Sequence, residues 1–147
     1  MNLLWTAKDL KTSGLTVIKH EISHVLLNKL LPEISVSNPL KLLAHIVIDE
    51  GIAHFIGFPK DPKALFAKYA DKWIAAEKNL EISQTKLLNR ELPLAEKELI
   101  IKTADTGAYW NKYASIAGMF RAAKIFELSG APALRKCIRA GVLPKQN

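Results

Sequence analysis

Proline and glycine punctuate this chain at wide intervals, and the stretches between them are long, uninterrupted and rich in helix formers. Residues 15–31, LTVIKHEISHVLLNKLL, contain neither residue and predict one helix. It stops before Pro32, because a proline pushes the residue before it out of helical backbone. Asn38-Pro39 then joins a capping side chain to a proline at the first helical position, predicting a second helix that runs to about Gly57. Asp61-Pro62 repeats that signal for a third helix over roughly 62–80, continuing with a break toward Asn89. Pro93 opens a fourth, to about Thr103. A fifth runs from about Ala108 to Ser129, where Gly130 supplies a stop, and Pro132 begins a short last helix closed by Gly141. Only EISVS, residues 33–37, reads as a strand, and it is short. The expected fold class is all-α with at most that minor strand, a single helical domain over residues 1–147.

Composition supports a folded domain and removes several functions. Nearly half of the 147 residues are apolar, 49%, and 24% are charged, so a sizeable core is available and a disordered tail is excluded. Every long apolar run is cut by His20, Glu21, His24, Asp49 or Glu50, which leaves no membrane span. The start, MNLLWTAKDLK, lacks a basic region followed by a long apolar stretch, making a cytoplasmic location the default expectation. The net charge of +7 raises nucleic-acid binding, yet the lysines are spread about one per helical turn, as on a solvated face. Trp5, Trp73 and Trp110 stand far apart without the basic–aromatic alternation of a base-stacking surface, so no nucleic acid partner is expected. One cysteine, Cys137, permits neither an internal disulfide nor a Cys-based zinc cluster. Any chemistry here rests on histidine and carboxylate.

The first helix carries it. His20-Glu21-Ile22-Ser23-His24 places two histidines at i and i+4, one above the other, so that both imidazoles can reach one zinc ion. Glu21, about 100° round the helix from His20, falls beside that ion, positioned to take a proton from zinc-bound water. Apolar residues surround the motif on nearly all sides, predicting a buried helix in which two histidines and a glutamate need compensation. A metal provides it. Open catalytic zinc sites use three protein ligands, so a third must come from elsewhere. The second helix offers Glu50, which shares an apolar stripe with Leu43, Val47, His54 and Gly57. His24 lies roughly 10 Å before the end of its helix and Glu50 roughly 16 Å into the next, an offset that the connection absorbs in an antiparallel pair. Gly51, costly within a helix, suits a close approach to the metal or to a neighbouring helix. Asp49 and His45 form a second i,i+4 pair, read as an intrahelical hydrogen bond.

HEISH followed by DEGIAHF resembles the gluzincin class of zinc metallopeptidases, whose pattern is HExxH and then (N/D)EGxA on a following helix. The tail from Gly107 to Pro144 is also similar to the C-terminal helices of small bacterial zinc peptidases of that kind. The resemblance implies a zinc cofactor held by His20, His24 and Glu50, with Glu21 as general base and proton shuttle, acting on a peptide or protein substrate. It also implies a second donor for the oxyanion, commonly Tyr or His. Tyr113 is the leading candidate and Tyr109 the next, because the small stripe Ala114, Gly118, Ala122 lets their helix pack closely, while His54 competes. Where some gluzincins carry an acid four residues after the glutamate, this chain has His54. A further departure lies upstream. Gluzincins usually place a β-sheet before the HExxH helix, whereas 19 residues precede His20 here and show no convincing sheet. The expectation is a minimal helical member, a partial product, or a domain completed by another chain or by a homo-oligomer. The residues alone also allow a helical interaction module with structural zinc or none. In either case residues 15–57 form the metal-binding helix pair, 58–147 the supporting helices and 1–14 a poorly defined N-terminal segment.

Overall fold

The computed structural model describes residues 15–33, 38–58 and 61–145. Within them every regular element is helical: α1 (Thr16–Leu27), α2 (Pro39–Gly57), α3 (Pro62–Leu88), α4 (Leu94–Ala104), a 3₁₀ turn (Tyr109–Asn111) and α5 (Tyr113–Ala140). The chain is all-α, as its punctuation predicts. Residues 34–37 of the expected strand, and the segment 1–14, lie outside the described residues.

The start signals work as their chemistry requires. Asn38 Oδ1 accepts from the Lys41 amide, and Asp61 Oδ1 accepts from the amides of Lys63 and Ala64, each ahead of a proline whose missing N–H is no loss at that position. Gly141 ends α5 in the left-handed region at φ 66°, and Gly130 breaks the helix at φ 72° before Pro132, so the fifth and last expected helices are two arms of one kinked element. Two boundaries differ from expectation. α1 ends at Leu27, four residues early, because its last amides tighten into i→i−3 bonds from Lys29 to Leu26 and from Leu30 to Leu27. The break in α3 falls at Tyr69 (φ −131°, ψ 28°), and the helix continues to Leu88.

α2 and α5 cross at the centre with their backbones touching. A Cβ on Gly118 would stand 1.8 Å from the Val47 carbonyl oxygen, and one on Gly51 2.5 Å from the Gly118 Cα. The small stripe of α5 thus meets the glycine of α2, the close approach that both features predicted. One side of this crossing buries Leu43, Val47, Leu65, Leu80, Ile116, Met119 and Phe120, with Trp73 stacked on Phe120 at 5.6 Å. The other buries Leu27, Ile48, Ile52, Ile125, Leu134 and Ile138. α3 is tied to α5 by a bidentate ion pair in which Arg121 donates to both Glu77 oxygens at 2.8 and 2.7 Å. Arg121 also donates to the Leu143 carbonyl, and Trp73 donates to Glu77.

α1 corrects one expectation. It was read as buried all round, yet only Ser23 and Leu27 are buried, while Val25 is 62% and Ile22 53% exposed. Helix α1 lies on α2 along the stripe that carries the histidines, and its outer apolar face meets solvent. Among the described residues no helix is long and apolar enough to cross a membrane.

Candidate metal centre

Contacts between α1 and α2 run in opposite chain directions. Thr16 and His20 lie against Gly57, and His24 reaches Asp49 and Glu50. The helices are therefore antiparallel, and Gly57, with space for a Cβ only 3.2 Å from the Thr16 carbonyl oxygen, lets them close. That closure brings His20, His24 and Glu50 together, with all three donor atoms within 4.8 Å of one another.

The separations are informative. His20 Nε2 and His24 Nε2 stand 3.2 Å apart, His24 Nε2 and Glu50 Oε1 3.5 Å, and His20 Nε2 and Glu50 Oε2 3.6 Å. Ligands about 2.0–2.1 Å from a tetrahedral zinc are about 3.3–3.4 Å from each other, so the triangle has the size such an ion requires. Its electronic character agrees. His24 donates from Nδ1 to Asp49 Oδ2 at 3.1 Å, since a carboxylate can only accept, which leaves Nε2 as the lone-pair nitrogen. An imidazole lone pair on His24 and the Glu50 carboxylate then face one point with His20 Nε2, a set of donor atoms suited to a cation, and the His24 ring is oriented by the carboxylate behind it as metal-bound histidines are. Burial pushes His20 down from its ordinary value, helped by the charge of His24, and pushes Glu50 up, helped by Asp105. The three side chains together could hold a metal ion.

The chain belongs to the family described as "Putative zinc dependent peptidase (DUF5700)". The family model matches residues 1–143, nearly the whole chain. No curated protein and no solved structure matches it. Membership in a zinc-peptidase family agrees with a donor set of two histidines and a glutamate.

Around this family's centre the remaining candidates separate. Glu21 follows His20 on α1 and is exposed. Asp49 does not pair with His45 as read from the sequence; the helix turns its carboxylate to α1, where His24 takes Oδ2 and Oδ1 is left buried without a partner. His54 is buried and donates from Nδ1 to the Glu50 backbone carbonyl at 2.8 Å, its ring 4.7 Å from that of His20. Burial, aided by the charge of His20, pushes its pKa down to about 4.

The Tyr113 hydroxyl is engaged on both sides. It donates to the Ile100 carbonyl at 3.1 Å and accepts from Ser83 at 2.8 Å, joining α3, α4 and α5. Tyr109 places its ring 5.3 Å from that of His54, and its hydroxyl donates to Met119 Sδ at 3.5 Å. Burial, with the nearby Tyr69 phenol, pushes its pKa up to about 12. Tyr109 also lies on the 3₁₀ turn rather than on the fifth helix.

The segment linking α4 to α5 adds two charges that the sequence did not single out. Asp105 acts on Glu50 and His54, and Lys112 acts on His20, Glu50 and His54. Ser115 donates to Asp105 Oδ1, and the Lys112 ammonium stands 4.0 Å from the same oxygen. Nothing in the spacing of lysines marks Lys112 out.

Proposed function

We propose that this chain is a zinc-dependent peptidase of the gluzincin type, its zinc held by His20, His24 and Glu50. The observation that carries the reading is the donor triangle of 3.2, 3.5 and 3.6 Å, with the His24 imidazole hydrogen-bonded from behind by Asp49. Zinc held there would supply a Lewis acid and bring the pKa of a water toward neutrality.

The chain's own residues do the rest. Asp49 fixes the His24 ring and its tautomer. His54 steadies the turn of α2 that bears Glu50 by bonding its carbonyl. Glu21, exposed and next to His20 in the chain, accepts the proton of the attacking water and passes it to the amide nitrogen as the C–N bond breaks. Exposure suits this role, since a peptide must reach the group.

Zinc content of protein purified without chelator tests the reading, compared with His20→Ala and read beside hydrolysis of an unstructured protein substrate. One zinc per chain, lost in the variant together with hydrolysis, is the expected result. A wild type without zinc ends the proposal. Bound zinc without hydrolysis would instead favour a structural ion in a helical interaction module.

A further inference from the structure

Two groups of aromatic rings run through this molecule, and they differ in what closes them. Phe66, Trp73 and Phe120 pack on one another at 5.3, 5.6 and 5.7 Å around a Phe120 that is wholly buried, so packing completes that group. The second group starts at the metal centre. The His20 ring meets the His54 ring edge-on at 4.7 Å, His54 meets Tyr109 at 5.3 Å, Tyr109 meets Trp110 at 5.0 Å, and Trp110 meets Tyr69 at 4.5 Å. Packing does not complete this row, because Tyr109 is 42% exposed. Its hydroxyl is held by the sulfur of the buried Met119, which engages the polar end of the side chain and leaves the ring to meet a ligand. The backbone beneath it is fixed as well. Gly107 takes φ 101°, a conformation that favours glycine, and the 3₁₀ turn that follows is closed by the Asn111 amide on the Ala108 carbonyl at 2.8 Å. An aromatic ring left in water forgoes the gain of burial, and this one is held two ring contacts from a metal-binding histidine, where a substrate has to arrive.

We propose that Tyr109 sets the specificity of the site, its ring receiving an aromatic or large aliphatic side chain of the residue next to the scissile bond, with His54 and Trp110 holding that ring in place. The inference rests on the zinc-peptidase reading above. It adds no step to the chemistry. Contact with the Tyr109 ring removes apolar surface of the substrate side chain from water, and an aromatic side chain gains ring-on-ring contact besides. Alanine offers too little surface to profit, and an aspartate would lose hydration against carbon. The substrate class is therefore peptides with a bulky apolar residue at the cleaved bond.

The test uses the zinc-loaded full chain and the variants Tyr109→Ala and Tyr109→Phe. Cleavage sites in an unstructured protein, mapped by mass spectrometry, fix the frame of a peptide in which each residue flanking the cleaved bond is set in turn to Phe, Leu, Ala or Asp. At one of the two positions the wild type is expected to show kcat/KM about 10–100-fold higher for Phe or Leu than for Ala or Asp. Tyr109→Ala is expected to bring that ratio close to one with zinc content as in wild type, and Tyr109→Phe to keep it. Equal hydrolysis of all four peptides by the wild type would overturn the proposal, and so would a ratio that survives Tyr109→Ala. A fall in kcat by one common factor on every peptide in Tyr109→Phe overturns it too, since the hydroxyl rather than the ring would then serve the reaction. A wild type without zinc, or with zinc and no hydrolysis of any peptide, removes the underlying reading instead, and the proposal with it. Should Tyr109→Ala fold poorly by circular dichroism, Tyr109→Gln takes its place under the same criteria.

Discussion

Glu77 and Glu50 are both drawn out of water by helix packing, and they are satisfied in opposite ways. Glu77 receives two charge-assisted bonds from Arg121 and a third from Trp73, so each of its oxygens has a donor and the charge is balanced within the protein. Glu50 faces the imidazoles of His20 and His24, the second of which sends its proton to Asp49, and Asp105 opposes its ionisation. A balanced group holds helices together. One surrounded by acceptors holds helices together only when something else arrives. The comparison separates a group whose charge is met within the protein from one whose surroundings could hold a metal ion.

The contrast can be broken at either end. Glu21→Gln removes the proton carrier and no ligand, so kcat/KM should fall about 10²–10⁴-fold while zinc content and thermal midpoint stay as in wild type. A parallel loss of zinc would show that Glu21 belongs to the ligand set. Arg121→Met strands Glu77 in the interior and should cost about 3–5 kcal/mol in a urea titration, with zinc stoichiometry per folded molecule unchanged. Were zinc lost at the same denaturant concentration at which wild type keeps it fully folded, the two regions would not be independent. Asp49→Asn keeps the shape and weakens the acceptor behind His24; a 10–100-fold loss in zinc affinity by chelator competition is the usual scale for such a partner. Tyr113→Phe is the smallest change: about 1 kcal/mol of stability for the bonds to Ile100 and Ser83, with kcat intact. A drop in kcat there would restore Tyr113 to the chemistry.

Those outcomes also measure what the amino-acid order made legible. Helix limits were readable wherever a backbone signal is local: Asn38 and Asp61 ahead of proline, and Gly130 and Gly141 at positive φ. The ligand triangle was readable because i,i+4 spacing and an apolar stripe each fix a face, and two helices joined by a short connection have few ways to meet. What failed was tertiary. Asp49 can reach His45 within its helix or His24 across the pair, and only packing selects the second. Tyr113 offers no sign in sequence that Ile100 and Ser83 take its hydroxyl. Helix α1 has enough apolar residues for burial on all sides, but periodicity says which residues share a face and not whether a face is covered.

That half-covered helix has a thermodynamic consequence. Two of the three donors ride on an element that buries only Ser23 and Leu27, so its attachment is a low-lying opening equilibrium rather than part of the global transition. An ion that binds only the closed form at 100 times its Kd lowers the open population by about 2.7 kcal/mol. Amide exchange in residues 16–27 should therefore slow by about 100-fold on loading, while α2 and α5 barely respond, and chelation would be felt first as a loosened helix.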